Sequence, residues 1–173
     1  MSRAYRVNWV TASSTVTTSD TLTVGVSLLG ILPEAEMAAM LRDELTRAGW
    51  SRGEDGTLTK ALGELTATLD AGAAKVTVTA SAENAVSARG RNKGDADTQL
   101  LEARSKERER LLTGLAKRLS AAEPDLRAKM GEAVQRVYVE ALRKKAASMG
   151  TIESVHEGTG SDGEYEVTIK VRT

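Results

Sequence analysis

The stretch that decides the fold is residues 97–149, DTQLLEARSKERERLLTGLAKRLSAAEPDLRAKMGEAVQRVYVEALRKKAASM. Over most of it, apolar residues return every three or four positions, a spacing that predicts helix. Glu123-Pro124-Asp125 divides the stretch, because proline has no N–H to donate and its fixed φ suits the first turn of a new helix. We therefore expect two long helices joined by a short turn, which makes them an antiparallel helical hairpin.

The middle of the first predicted helix, Glu102–Arg110, is charged and has only Ala103 as an apolar residue. Such a segment is not suited to burial in a hydrophobic core, so it is either a solvated arm or a charged surface on which another protein docks. Leu100 and Leu101 precede it and are expected to rest on the second helix near Ala141–Met149; the alternative is that they contact the sheet or another chain. The side chains that would contact a docked protein are Arg104, Lys106, Arg108 and Arg110.

Residues 1–82 predict a small β-rich unit with one helix. Alternating apolar and polar residues predict strands at Arg3–Val10 and Thr21–Leu29. Between them, the Ser/Thr-rich segment Thr11–Asp20 predicts a loop or an irregular edge. Pro33 is expected at the start of a helix with an apolar stripe, and Gly49 is expected to end that helix.

Three further strands are predicted between Trp50 and Ser81, separated by turns at residues 53–56, 63–64 and 70–72. Consecutive short strands with tight turns favour an antiparallel sheet, and the single helix would cover one of its faces. Residues 83–96 show no period, and their basic, glycine-rich centre RGRNKG (89–94) predicts a flexible linker.

The predicted fold class is α+β: an antiparallel sheet with one covering helix, then a long antiparallel helical hairpin and a C-terminal β-hairpin. The predicted domains are a β-rich unit (1–82), the flexible linker (83–96) and the helical hairpin with the β-hairpin (97–173). The last strand has the clearest alternation in the chain, and its partner strand is predicted at Thr151–Glu157. Four apolar residues share one face of the last strand: Tyr165, Val167, Ile169 and Val171.

Composition limits the function. The chain has 173 residues and no Phe. It also has no Cys, so disulfides and thiolate metal sites are excluded. Its 24 basic and 24 acidic residues balance, although residues 97–149 hold 12 of the basic ones. That mild asymmetry argues against a dedicated nucleic-acid-binding protein. No apolar run is long enough to span a membrane, and no signal peptide opens the chain, so a cytoplasmic protein is expected.

Two motifs carry possible chemistry, and each has a simpler explanation. GTGSDG (158–163) matches G-x-G-x-x-G, but a strand follows it where a dinucleotide site needs a helix, so a hairpin tip is expected. His156 is the only histidine, and Glu153 and Glu157 are predicted to point away from it, which leaves no metal set. We expect no catalytic residue, no cofactor and no metal, and therefore no enzyme.

Three segments carry a resemblance: RAYRV (3–7), GILPEAEM (30–37) and GEYEVTIKV (163–171). They resemble a family of bacterial accessory proteins of FtsH ternary systems, which are associated with AAA+ ATPases and von Willebrand factor A proteins and have been proposed to act in biological conflict. The resemblance covers about the first 80 residues and the C-terminal strand. It implies an accessory component of an ATP-driven assembly and no active site.

The predicted function is a non-catalytic adaptor or scaffold with protein partners, among them an AAA+ ATPase or a von Willebrand factor A protein, and no membrane association. The alternative is a nucleic-acid-binding module that uses Arg89, Arg91 and Lys93 together with the basic first helix. Phosphate contacts impose a steep dependence on salt, which separates the two classes experimentally. The near absence of aromatic residues to stack on single-stranded bases favours the adaptor.

Overall fold

A computed structural model describes residues 9–53, 55–70, 75–159 and 165–172. The α+β class is confirmed: a five-stranded antiparallel sheet, one short helix and one long helix precede a C-terminal β-hairpin. The predicted strand at Arg3–Val10 lies almost wholly outside the described residues. The elements in chain order are β1 (Val10–Gly25), α1 (Glu34–Arg47), β2 (Ser51–Arg52), β3 (Leu58–Leu62), β4 (Leu65–Asp70), β5 (Lys75–Gly90), α2 (Lys93–Met149), β6 (Thr151–Thr159) and β7 (Tyr165–Arg172).

The sheet has the strand order β1-β5-β4-β3-β2, so β5 is paired on both sides and β1 and β2 are the edges. The predicted two-residue turn between β3 and β4 is confirmed. Gly63 takes φ +65° there, which a residue without Cβ adopts at little cost.

α1 begins after Pro33 and ends at Gly49 as the sequence predicts. Gly49 has φ +85°, and its N–H bonds to the Thr46 carbonyl while the Trp50 N–H bonds to the Leu45 carbonyl, both at 3.0 Å. These two bonds form a Schellman motif, which satisfies carbonyls that the helix end leaves free. Met37, Leu41 and Leu45 on the helix are fully buried, confirming the apolar stripe.

Two segments that were expected to lack regular structure are strand. β1 runs through Thr11–Asp20, so the predicted loop is wrong, and β5 continues to Gly90 through most of the predicted linker. The alternation of side chains does persist in both, but the inward positions are mostly small or polar, such as Ala12, Ser14 and Ala88. A strand whose buried face is not hydrophobic gives little periodic signal.

The end of the predicted linker begins α2. The Asp95 N–H donates to Asn92 Oδ1 at 2.9 Å, and Asn92 Nδ2 donates to Asp95 Oδ2 at 3.1 Å, a reciprocal arrangement like a capping box. Gly90 is buried, and a Cβ placed on it would lie 2.3 Å from the Ala96 backbone nitrogen. Strand and helix therefore approach at a distance that only glycine allows. Whether residues 83–96 divide the chain into independent domains stays a prediction.

The predicted helical hairpin is wrong, because Lys93–Met149 is one continuous helix with Pro124 inside it. The buried face stays in register across the proline: Leu119, Ala122, Leu126 and Met130 follow at steps of three, four and four residues. One helical face therefore continues on both sides of Pro124, and its packing offsets the hydrogen bond that proline cannot make. Without a hairpin, Leu100 and Leu101 do not rest near Ala141–Met149.

The described residues cluster into two compact units, each built from separate segments. One unit combines the described residues within 1–22, 63–65 and 78–123, and its core contains Val16, Val78 and Leu115. The other combines the described residues within 23–62, 66–77 and 124–173, and its core contains the buried residues of α1 with Leu58, Leu69, Val76 and Val137. In the second unit β6 pairs with β7, from Thr151 opposite Arg172 to Thr159 opposite Tyr165.

Candidate protein-docking surface

The four predicted docking residues lie on exposed surface of the N-terminal half of α2. Successive helical residues are about 100° apart, so Arg104 and Arg108 stand on one side of Glu107 while Lys106 and Arg110 stand on the other. Glu107 itself faces the sheet, where its side chain is only 14% exposed. The structure therefore separates the four cations into two pairs on opposite flanks of the helix.

Glu107 fixes one of these cations. Arg110 Nε donates to Glu107 Oε2 at 2.8 Å and Arg110 Nη2 donates to Glu107 Oε1 at 2.5 Å, a bidentate pair. Asn84 on β5 donates from Nδ2 to Glu107 Oε1 at 2.7 Å. The bonds from Arg110 and then from Asn84 lower the pKa of Glu107 from 4.5 to about 2. The same contact raises the pKa of Arg110.

The other flank presents an apolar side chain next to two cations. Three side chains share a face there because they lie at helical positions i, i+3 and i+7: Leu101, Arg104 and Arg108. We call them the Leu101 stripe. Leu101 is 64% exposed. Neither arginine of the stripe, nor Lys106 on the opposite flank, has an ion pair or side-chain hydrogen bond among the described residues. The stripe therefore offers two cations and a leucine that are available to a partner.

A second basic group lies at the turn between β5 and α2. Arg89, Arg91 and Lys93, the residues of the nucleic-acid alternative, are all exposed there. They have no ion pair within the described part of the chain. The turn holds them at the end of a strand and at the start of a helix, where the positive helix terminus adds to their field.

A cleft of about 630 Å³ lies in the second unit, between α1, the C-terminal half of α2 and the β-hairpin. Its three arginines all form ion pairs: Arg47 with Glu44 and Glu140, Arg136 with Glu44 and Glu132, and Arg143 with Glu157. Glu44 is buried, and its two oxygens lie 2.7 Å from Arg47 Nη1 and 2.9 Å from Arg136 Nη1. Paired in this way, these side chains connect elements and offer no free charge to a ligand.

Tyr165 lines the same cleft and donates from its hydroxyl to Glu157 Oε2 at 2.7 Å. That hydrogen bond raises the pKa of Tyr165, because the neutral phenol is the form that donates to the Glu157 carboxylate. His156 is exposed on β6 opposite Thr168. Most of the GTGSDG motif lies outside the described residues.

Within the described ranges, no group of three His, Asp or Glu side chains is placed to hold a metal ion. None of the described helices is both long enough and apolar enough to cross a membrane.

The sequence predicts the cations, but it does not predict the contacts that leave Arg110 paired and Arg104, Lys106 and Arg108 without a partner among the described residues. Glu107 and Asn84 are 23 residues apart, and nothing in either residue's neighbourhood predicts that they meet. The exposure of Leu101 was missed because the hairpin expectation gave it a partner helix. A helical projection of residues 96–111 shows the signal: Ala96, Leu100, Ala103 and Leu111 share one face, and Leu101 lies off it.

The fold and the surface together define the class: an α+β protein built on an antiparallel sheet and one long helix, with exposed basic helical surface. The chain belongs to the family FtsH ternary system domain X5, which matches residues 1–173. It is therefore an accessory protein of FtsH ternary systems, as the resemblance implies. No curated protein and no solved structure matches the chain.

Proposed function

We propose that this protein is a non-catalytic adaptor or scaffold of a bacterial FtsH ternary system, and that it acts in the cytoplasm. Membership of a multi-component system supports the existence of protein partners. The described surface supports a binding role over a reaction, because the cleft of the second unit holds carboxylates and guanidinium groups that form ion pairs with one another.

The observation that carries the proposal is the Leu101 stripe. A leucine that is 64% exposed lies beside two unpaired arginines on a helix, and a helix keeps the spacing of its side chains fixed. Fixed spacing lowers the entropic cost of binding, and exposed anchors at i, i+3 and i+7 suit recognition by a groove. The complementary surface is an acidic one with an apolar pocket for Leu101. Lys106 and Arg110 extend the basic surface on the other flank.

The proposed partner is the AAA+ ATPase of the same system or its von Willebrand factor A protein. Each purified candidate is titrated against the wild-type chain and against Arg104→Glu/Lys106→Glu/Arg108→Glu. We expect the triple variant to bind at least tenfold more weakly, because reversed charges repel an acidic partner. Arg110 is left unchanged so that its bond to Glu107 is kept.

The matched control reverses three exposed lysines elsewhere, Lys117→Glu/Lys145→Glu/Lys170→Glu, and so makes the same change in net charge. This control should bind within about threefold of wild type. Both variants should keep the wild-type melting temperature, since exposed charges contribute about 0–1 kcal/mol each. Equal binding by wild type and the first triple variant to every component would contradict the proposed docking surface.

The second candidate function is nucleic-acid binding, and the exposed group Arg89, Arg91 and Lys93 is the observation that favours it. An electrophoretic mobility shift at low salt tests it directly. Binding through phosphates should weaken steeply between about 50 and 200 mM salt, and Arg89→Gln/Arg91→Gln/Lys93→Gln should reduce the slope. Tight, salt-dependent binding of DNA or RNA that this variant loses would place nucleic acid ahead of the adaptor.

A further inference from the structure

β1 is a long sheet edge without the usual protection. Its 16 residues pair only with β5 among the described strands, so within the described part of the chain the backbone N–H and C=O groups on its other side have no strand partner. Proteins normally protect such an edge with Lys, with Pro or by keeping the strand short. β1 has no Lys, Arg or Pro, and Asp20 is its single charge. The opposite edge, β2, is protected in the usual way, since it has two residues and one of them is Arg52.

The side chains of β1 suit pairing with another strand. Every odd-numbered residue from 11 to 23 is an exposed Thr or Ser, and these positions alternate with an inward face that includes the buried Val16, Thr18 and Val24. Threonine favours strand conformation, and Thr–Thr pairs across strands are favourable. The edge is therefore polar enough to stay in water yet complementary to a strand of the same kind.

The order of residues in β1 is self-complementary about Thr17. An antiparallel copy placed with Thr17 opposite Thr17 brings like residue types together on both faces. On the exposed face the pairs are Thr11 with Thr23, Ser13 with Thr21, and Thr15 with Ser19. On the inward face they are Val10 with Val24, Ala12 with Leu22, Ser14 with Asp20, and Val16 with Thr18.

We propose that the free edge of β1 pairs with the same edge of a second copy of this chain, antiparallel and centred on Thr17, and so joins two sheets into one. A two-fold interface uses the same surface on both partners and requires a self-complementary sequence, which β1 has. The register places the lone Asp20 opposite Ser14, so no like charges meet. The paired segment of 15 residues is about 50 Å long, enough for a continuous backbone ladder.

The first test measures molecular mass against concentration by light scattering and sedimentation. The wild type should reach twice the 18.4 kDa chain mass. In the proposed register, position 15 of one copy faces position 19 of the other. Thr15→Lys/Ser19→Lys therefore sets lysine against lysine at two places and should weaken dimerisation at least tenfold. Thr15→Lys/Ser19→Glu sets opposite charges together and should dimerise within about threefold of wild type.

The two charge variants separate pairing from misfolding. Within one strand the two positions are four residues apart, about 13 Å, so neither variant gains or loses a close contact inside a chain. Thr79→Lys/Ser81→Lys is the control, because both residues are exposed on β5, which is paired on both sides. This control should dimerise like the wild type. A wild type that stays monomeric to about 100 μM, or equal dimerisation of both charge variants, would overturn the proposal.

The second test fixes the register by cross-linking. The chain has no cysteine, so each introduced thiol is unique. Thr17→Cys lies opposite its own copy and should form a disulfide-linked dimer rapidly on mild oxidation. Thr11→Cys lies opposite position 23, which keeps the two thiols roughly 40 Å apart, and should not cross-link. Equal cross-linking at positions 11 and 17 would show that another surface forms the dimer, and the proposal would fail.

Discussion

Glu107 is the residue that attaches the charged part of α2 to the sheet. Its carboxylate accepts from Asn84 on β5 and from Arg110 one helical turn further along. This carboxylate thus holds Arg110 in place, whereas Arg104, Lys106 and Arg108 have no side-chain partner among the described residues. Sequence alone assigns Glu107 and Arg110 to one uniform charged run, because their difference depends on a residue of a distant strand.

The pKa of Glu107 should make folding stability depend on pH in a defined window. Because the hydrogen bonds lower the pKa in the folded state from 4.5 to about 2, the carboxylate stabilises the fold above about pH 4.5 and loses that contribution as the pH falls to about 2. NMR titration of the carboxyl carbon should give a value near 2. Arg110→Gln should raise the pKa most, and Asn84→Ala should raise it less.

A control for this window is Glu107→Gln, which cannot titrate. Between pH 4.5 and 2 its stability should fall less steeply than that of the wild type, as measured by urea unfolding at several pH values. An unshifted Glu107 pKa in the wild type would show that the Arg110 and Asn84 bonds are not formed in solution.

Glu44 has the corresponding role in the second unit. Arg136→Ala removes the contact between this buried carboxylate and α2 and should cost about 1–3 kcal/mol, because a buried charge loses a hydrogen-bonding partner. Arg118→Ala is the matched comparison, since Arg118 pairs with Glu64, whose side chain is 76% exposed, and should cost at most about 1 kcal/mol. Urea unfolding measures both. Equal losses would show that burial of Glu44 does not strengthen its ion pairs.

At the scale of elements, ion pairs show how α1 runs against the C-terminal half of α2. Glu36 bonds to Lys144 at 2.8 Å and Glu44 bonds to Arg136 at 2.9 Å, so residue numbers rise on one helix as they fall on the other. The two helices are therefore antiparallel in the second unit. The helical pair that the sequence predicts within residues 97–149 is absent, and α1 provides the antiparallel neighbour instead.

Pro124→Ala should stabilise the protein, because α2 continues through this position and proline costs up to about 3 kcal/mol in a helix interior. The substitution restores an N–H donor for the Ser120 carbonyl and adds no buried surface, since Pro124 is exposed. The midpoint of denaturant unfolding and the helical circular dichroism signal should both increase. Ala128→Pro, also exposed on α2, is the opposite control and should destabilise by about 3 kcal/mol or more. A neutral or destabilising Pro124→Ala would favour a turn at this position.

The sequence predicts those elements whose buried face is hydrophobic. The stripe of α1, its glycine end and the alternation in β3, β4 and β7 were found because apolar residues and turn glycines lie at the expected spacing. Residues 11–20 of β1 and 83–90 of β5 were not predicted as strand, since small or polar residues such as Ser14 and Asn84 occupy the inward positions there. The continuity of α2 is not predicted, because Pro124 is a strong signal for a helix boundary even though the spacing of Leu119, Ala122 and Leu126 is unbroken.

At the scale of the whole chain, residues 83–96 connect the sheet to α2. If they form a flexible linker, trypsin should cut first after Arg89, Arg91 or Lys93. In the structure this segment has the buried Gly90 against Ala96, a paired strand before it and a capped helix after it. Proteases need several residues of locally unfolded chain, and packing of this kind raises the free energy of local unfolding.

We therefore expect trypsin to cut slowly after Arg89, Arg91 or Lys93. The rate should be no higher than after Arg104 or Lys106, which lie in the N-terminal half of α2. Mass spectrometry of early digestion products measures this order.

Gly90→Ala provides the contrast, because its Cβ would lie 2.3 Å from the Ala96 nitrogen and would force strand and helix apart. That variant should lose about 1–3 kcal/mol and should be cut at residues 89–93 several times faster. Gly114→Ala, where an added Cβ meets nothing within 4 Å, should be no less stable than the wild type. First cleavage at residues 89–93 in the wild type, unchanged by Gly90→Ala, would restore the flexible linker.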